Sequence, residues 1–144
     1  MFVFYFTLQV FDAYLSNLAN CVNRDMIDKA AMDFCLDLNN RPNRKKLTNF
    51  LFSVHRNRQD LIPFYSRLVA TLAPIAPDIG NGLATLLKRE FRWLVCKKDQ
   101  MKIESKLKVC RFIGELVKFK VRSSSKRIIR LSTRYSKTFT VIFW

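Results

Sequence analysis

Apolar residues recur at i, i+3, i+4 and i+7 in six successive segments of this chain, and that spacing restricts the fold more than any other feature. A helix turns once per 3.6 residues, so such positions share one face, whereas a strand would place them alternately up and down. Leu8, Phe11, Leu15 and Leu18 make the first stripe; Ile27, Ala30, Ala31, Phe34, Cys35 and Leu38 make the second, over residues 24–38. Leu47, Phe50, Leu51 and Val54 form a short third helix, and Leu61, Phe64, Tyr65, Leu68, Val69 and Leu72 a broad fourth face. Ile79, Leu83, Leu86, Leu87, Phe91 and Leu94 give a fifth, and Ile103, Leu107, Cys110, Ile113, Leu116 and Val117 a sixth.

The punctuation agrees with six helices. Asn23 offers an N-cap with Asp25 in the first turn, and Asn39 to Pro42 breaks the pattern before helix three. Asp60 is expected to cap helix four, with Pro63 inside its first turn, where a missing N–H is tolerated. The run APIAPDIGNG reads as the clearest interruption, with Asp78 expected to cap helix five, and KKDQ at 97–100 ends that helix. Three glycines and four prolines in 144 residues leave few breakpoints, which favours helices over a turn-rich β architecture. At this length one core and one domain are expected. The fold class is therefore all-α, either a solenoid of stacked antiparallel helix pairs or a globular bundle; no strict internal repeat chooses between them.

The last 23 residues differ. After Ser123 to Ser125 come Lys126, Arg127, Arg130, Arg134 and Lys137 without an acid, and Phe139, Val141 and Phe143 then alternate with Thr138, Thr140 and Ile142. The expected division is a helical domain at 1–121 and a basic, loosely ordered or nonnative tail at 122–144. The opening MFVFYFTLQVF lacks the basic start and small-residue cleavage site of a signal peptide and is too short to cross a bilayer. It reads as part of helix one.

Chemistry is sparse. Cys21, Cys35, Cys96 and Cys110 show no CxxC spacing and no histidine partners for zinc; each is expected on or beside an apolar face as a free thiol, which suits a reducing compartment. The expected location is cytoplasmic, the perinuclear zone included. His55 is the single histidine, so triads and metal sites lack their parts. Asp25, Asp28, Asp33 and Asp37 read as a solvated face. Gly80-Asn81-Gly82 lacks the third glycine of a dinucleotide loop and the Lys-Ser/Thr ending of a P-loop. No catalytic residue, cofactor, metal or small-molecule substrate is expected, and the chain does not read as an enzyme.

Cations are the group in excess. The net charge is +15, and it is polar along the chain: residues 1–40 hold two basic and five acidic side chains, residues 41–144 hold 24 and six. Such an excess favours phosphate backbones, anionic lipids or an acidic protein partner without choosing among them. Arg41, Arg44, Lys45 and Lys46 stand at the head of helix three; Arg56 and Arg58 follow it; Lys97, Lys98, Lys102, Lys106, Lys108 and Arg111 follow helix five or line the outer face of helix six. Stacked repeats would gather the inter-helix turns along one edge and make these clusters one stripe that holds phosphates without reading bases. Phe34, Phe50, Phe64 and Phe91 sit at core spacing, and no stacking platform for bases is evident.

Three stretches carry a family resemblance: VNRDMIDKAAMDFCLDLNNRPNRKKL, RQDLIPFYSRLVATLAP and KKDQMKIESKLKVCRFIGELVKFK. From about Ala13 to Val121 the chain closely resembles the first middle domain of nonsense-mediated decay scaffolds, of the helical-repeat type first described in translation initiation factor four gamma. The resemblance implies a HEAT-like right-handed solenoid of antiparallel helix pairs. It also implies a scaffold role in messenger RNA decay, between the up-frameshift helicase and the exon junction complex, with RNA and decay proteins as partners and no membrane. Domains of this family continue for several helices past FIGELVKFK, so the solenoid is expected to be truncated, with Val117 and Phe119 facing a missing neighbour. The family's known docking sites for helicase and exon-junction adaptor lie in other regions. The basic residues Arg44, Lys45, Lys46, Arg56, Arg58, Lys97, Lys98, Lys102, Lys106 and Arg111 remain the candidate contacts. A translation-initiation adaptor of the same fold is the alternative function, and a basic membrane-surface module ranks last.

Overall fold

The structure, a computed structural model, describes residues 2–55, 57–97 and 102–121, with side chains described from Gln9 onward. Six helices make it up: α1 Phe2–Leu18, α2 Arg24–Asp33, α3 Arg41–Phe52, α4 Ile62–Leu72, α5 Pro77–Cys96 and α6 Ile103–Lys118. A π-helical turn, Phe34–Leu38, prolongs α2, and a 3-10 turn, Gln59–Leu61, leads into α4. Among the described residues there is no strand.

Helices two apart in sequence pack on one another: α3 on α5, α2 on α4, and α4 on α6. This produces two layers, α3 and α5 in one and α2, α4 and α6 in the other, with the core between them. Arg44 meets Asp78, and one turn further on Thr48 stands against Gly82, so α3 and α5 run parallel in register. Parallel neighbours within a layer and antiparallel pairs across layers are the arrangement of a HEAT-like solenoid, and the stacked-pair reading holds over the bundle. Most of the apolar stripes face inward as their spacing requires: Ile79, Leu83, Leu87, Phe91 and Leu94 of α5 share one buried core with Ile62, Leu68, Val69 and Leu72 of α4, whereas Ile103 and Leu107, expected on the inner face of helix six, are exposed near the start of α6. Each buried side chain of this kind contributes roughly 1.5–3 kcal/mol.

Several local expectations are corrected. The Pro-Gly run does not interrupt the chain as far as Gly82: α5 begins at Pro77 and carries both glycines inside it. Their role is close approach. A Cβ at Gly80 would stand 3.1 Å from Val121 Cγ1, and one at Gly82 would stand 3.1 Å from Thr48 Cγ2, so a missing side chain lets α5 settle onto its neighbours. Asp78 lies in the first turn, not at the cap, which is Ala76. Asp60 likewise falls within the 3-10 turn and binds Arg58. Asn23 occupies its cap position with extended backbone but makes no capping bond through its side chain. Cys21 and Cys110 are buried thiols as expected, whereas Cys96 is exposed.

Val117 and Phe119 are half-buried against the core. The helix closes on itself there. Lys120 takes a left-handed φ of 53°, its N–H donates to Val117 O at 3.0 Å, and the Val121 N–H donates to Leu116 O at 3.2 Å. Those are the two bonds of a Schellman stop. Val121 is thereby folded back, 2% exposed, onto Gly80. Residues 122–144, and with them the tail reading, lie outside the described residues.

Candidate functional site

The α3–α5 layer carries a groove of about 590 Å³ along its helix seam, with Arg41, Arg44, Lys45 and Thr48 on one wall and Asp78, Asn81 and Thr85 on the other. Pro42 near the start of α3 and Pro77 at the start of α5 place both helix beginnings at the same end of this seam. Arg44 is tethered: its Nε donates to Asn39 Oδ1 at 2.7 Å and its Nη1 lies 3.4 Å from Asp78 Oδ2. Asp78 is thus the acid that Arg44 already neutralises, while Arg41 and Lys45 are exposed beside it.

A second concavity, of about 570 Å³, continues along α5 and is lined by Thr85, Lys88, Arg89, Arg92, Trp93 and Cys96. Thr85 belongs to both, so the two adjoin along α5. At the far end Trp93 is 45% exposed, with the ammonium groups of Lys97 and Lys102 at 4.2 and 4.3 Å from its ring centroid. Each exposed cation–π contact is worth roughly 0.5–1 kcal/mol. Lys106 Nζ donates to Lys97 O at 3.0 Å and so brings α6 up to the end of α5.

The candidate residues from sequence therefore separate. Arg44 and Lys45 share the seam, and Lys97, Lys102 and Lys106 gather around the α5–α6 connection. Lys46 is exposed on α3 outside the groove lining, and Arg111 is exposed on α6. Arg58 pairs with Asp60 at 3.2 Å, beyond the other end of α3. Arg56 and Lys98 lie outside the described residues. Lys108, read from sequence as an outer-face cation, points inward: its Nζ donates to Val54 O at 2.6 Å and lies 3.4 Å from Phe52 O. It closes the negative end of α3, and burial pulls its pKa below the ordinary lysine value.

Sequence reading missed Lys88, Arg89, Arg92 and Trp93. The signal was present as a second stripe, Thr85, Lys88, Arg89, Arg92, Trp93 and Cys96, at i, i+3, i+4, i+7, i+8 and i+11. Only the apolar stripe on the other side of the same helix was counted.

Several other titratable groups are tied into local contacts. Asp28 accepts two bonds from Arg67, at 2.9 and 2.8 Å, across α2 and α4; the Arg67 hydrogen bond holds its carboxyl below the usual range. Burial raises the Cys110 thiol to about 11, so it stays protonated. His55 is exposed, and its Nδ1 accepts a bond from the Asn57 N–H at 3.3 Å. Among the described residues no group of three or more His, Cys, Asp or Glu could hold a metal, and no helix is long and apolar enough to cross a membrane. The arrangement is suited to holding anions along a groove.

A two-layer stack of antiparallel helix pairs with a cationic seam defines a helical-repeat scaffold, and the MIF4G domain model matches residues 12–136. The chain belongs to the MIF4G domain family. It is 58% identical over 112 residues to Regulator of nonsense transcripts 2 of Homo sapiens and of Mus musculus, and 50% identical over 111 residues to Regulator of nonsense transcripts UPF2 of Arabidopsis thaliana. These alignments take in 78% and 77% of this chain and 9% of each relative. The chain thus spans about a tenth of the length of the curated relatives it matches.

Proposed function

We propose that the chain is a non-catalytic scaffold module of nonsense-mediated mRNA decay, acting in the cytoplasm and contacting RNA and decay proteins through its basic face. The observation that carries this reading is the 58% identity to Regulator of nonsense transcripts 2 over most of the chain. The cationic seam of α3 and α5 supports it from the physical side, because a surface of this sign attracts phosphate backbones and acidic partners.

The test is a chimera. In cells lacking the relative, a copy whose aligned stretch is replaced by residues 13–121 of this chain is expected to restore degradation of a reporter transcript carrying a premature stop codon. Decay no better than with that stretch deleted overturns the reading.

A further inference from the structure

We propose that the seam between α3 and α5 and the exposed Trp93 act together as one track that binds single-stranded RNA, with phosphates held by the seam cations and an unpaired base stacked on the Trp93 ring. This rests on the scaffold reading above and deepens it by naming the ligand class and the site.

Adjacency comes first. Thr85 lines both concavities, and α3 and α5 run parallel with Arg44 level with Asp78. From Asp78 to Trp93 the helix rises by roughly 22 Å at about 1.5 Å per residue. A path of that length suits the lower end of single-strand site sizes, on the order of four nucleotides and upward. Cations punctuate it throughout: Lys45 near one end, Lys88, Arg89 and Arg92 in the middle, Lys97 and Lys102 at the other end. The acid lining it, Asp78, is engaged by Arg44.

The aromatic decides the ligand. A duplex would satisfy the cations but hides its base faces, leaving the indole without a partner. An acidic peptide would satisfy them too, and it offers nothing that a flat ring flanked by two ammonium groups matches better than a base flanked by two phosphates. A lipid surface calls for several apolar side chains on one stripe, whereas this stripe presents a single large one. Lys97 and Lys102 rest on the ring in the free chain. An arriving base exchanges places with them, because base–aromatic stacking is comparable to or stronger than the two exposed cation–π contacts it replaces and the freed ammonium groups gain phosphate partners. Released, the two ammonium groups take the phosphates on either side.

The experiment measures binding of the full chain to a fluorescent oligouridine and to a duplex RNA of the same length across a salt series, with Trp93 emission followed in the W144F background. Trp93→Ala is expected to weaken oligouridine binding about tenfold while leaving the salt slope unchanged, and Trp93→Phe to restore most of the affinity. Lys45→Ala and Arg92→Ala are each expected to flatten the slope by about 0.7. Oligouridine, and not the duplex, should quench Trp93. Equal binding by Trp93→Ala, equal affinity for the duplex, or displacement of RNA by polyglutamate at matched charge overturns the proposal. Absent RNA binding alongside a chimera that restores decay overturns it as well and leaves the scaffold reading standing.

Discussion

The α2–α4 and α3–α5 seams are built alike and end with opposite electrical character. Each joins helices two apart in the chain, and each is crossed by an arginine reaching an aspartate. At α2–α4 the Arg67 guanidinium meets both oxygens of Asp28 at 2.8 and 2.9 Å, and the fork matches the carboxylate. At α3–α5 Arg44 divides itself between Asn39 and Asp78 and reaches the latter through a single nitrogen at 3.4 Å. Arg41 and Lys45 then stand beside it in excess. One seam is bridged by a bidentate ion pair; the other carries a groove and is cationic. The two seams thus share a helix arrangement and differ in how their arginine is engaged and in the cations left beside it.

The largest expected effect comes from wedging the open seam. Gly82 leaves room for Thr48, whose Cγ2 would stand 3.1 Å from an added Cβ. Gly82→Leu must push α5 away from α3 and is expected to destabilise the chain by about 2–3 kcal/mol, the range for overpacked sites, read from urea denaturation midpoints. A loss below about 0.5 kcal/mol would mean that the α3–α5 seam yields freely and owes its groove to looseness instead of to charge.

Next in size is the tie between the layers. Lys108 reaches from α6 to the last carbonyls of α3, and burial opposes its charge. Two effects compete, desolvation of the ammonium against its charge-assisted bonds to the Phe52 and Val54 carbonyls. The 2.6 Å contact to Val54 O favours the bonds. Lys108→Met keeps the aliphatic stem and removes the donor, so a loss of about 1–2 kcal/mol is expected. A variant as stable as the parent would show that desolvation cancels the bonds and that the open-seam layer needs no anchor at α6.

The helices were legible in the sequence because their inward stripes are long and regular. Phe11, Leu18, Ile27, Phe34, Leu47, Leu68, Leu87 and Leu116 are all buried as their spacing required. What failed depended on contacts between distant segments. Gly80 and Gly82 look like a break until Val121 and Thr48 are seen to occupy the space they leave. Asp78 looks like a cap until the start of α5 is fixed one residue earlier by Pro77. Lys108 looks solvated until α3 ends beside it. Half of the candidate site was readable, Arg44 and Lys45 at one end and Lys97 and Lys102 at the other. The stretch between them was not, because α5 was judged by its apolar face and its polar stripe went uncounted.

The smallest effect bears most directly on the two arginines. Asp28 is held below its ordinary value of 3.8, first by the Arg67 hydrogen bond. A carboxylate with a depressed folded pKa contributes stability that is complete above its unfolded value and is lost as pH falls through the folded one. The pair therefore acts in full at neutral pH and fades below 3.8. Both partners are partly exposed, at 29% and 41% of their side chains, so solvent screens the interaction. Arg67→Met is expected to lower the neutral-pH urea midpoint by more than Arg44→Met does, and the gap between Arg67→Met and the parent should close as pH drops below that value. Removing Arg44 frees Asp78 to draw on Lys45 or Arg41, which softens its loss. Equal midpoint shifts for the two substitutions, or a gap that persists in acid, would show that the α2–α4 seam is held by the arginine stem and not by the ion pair.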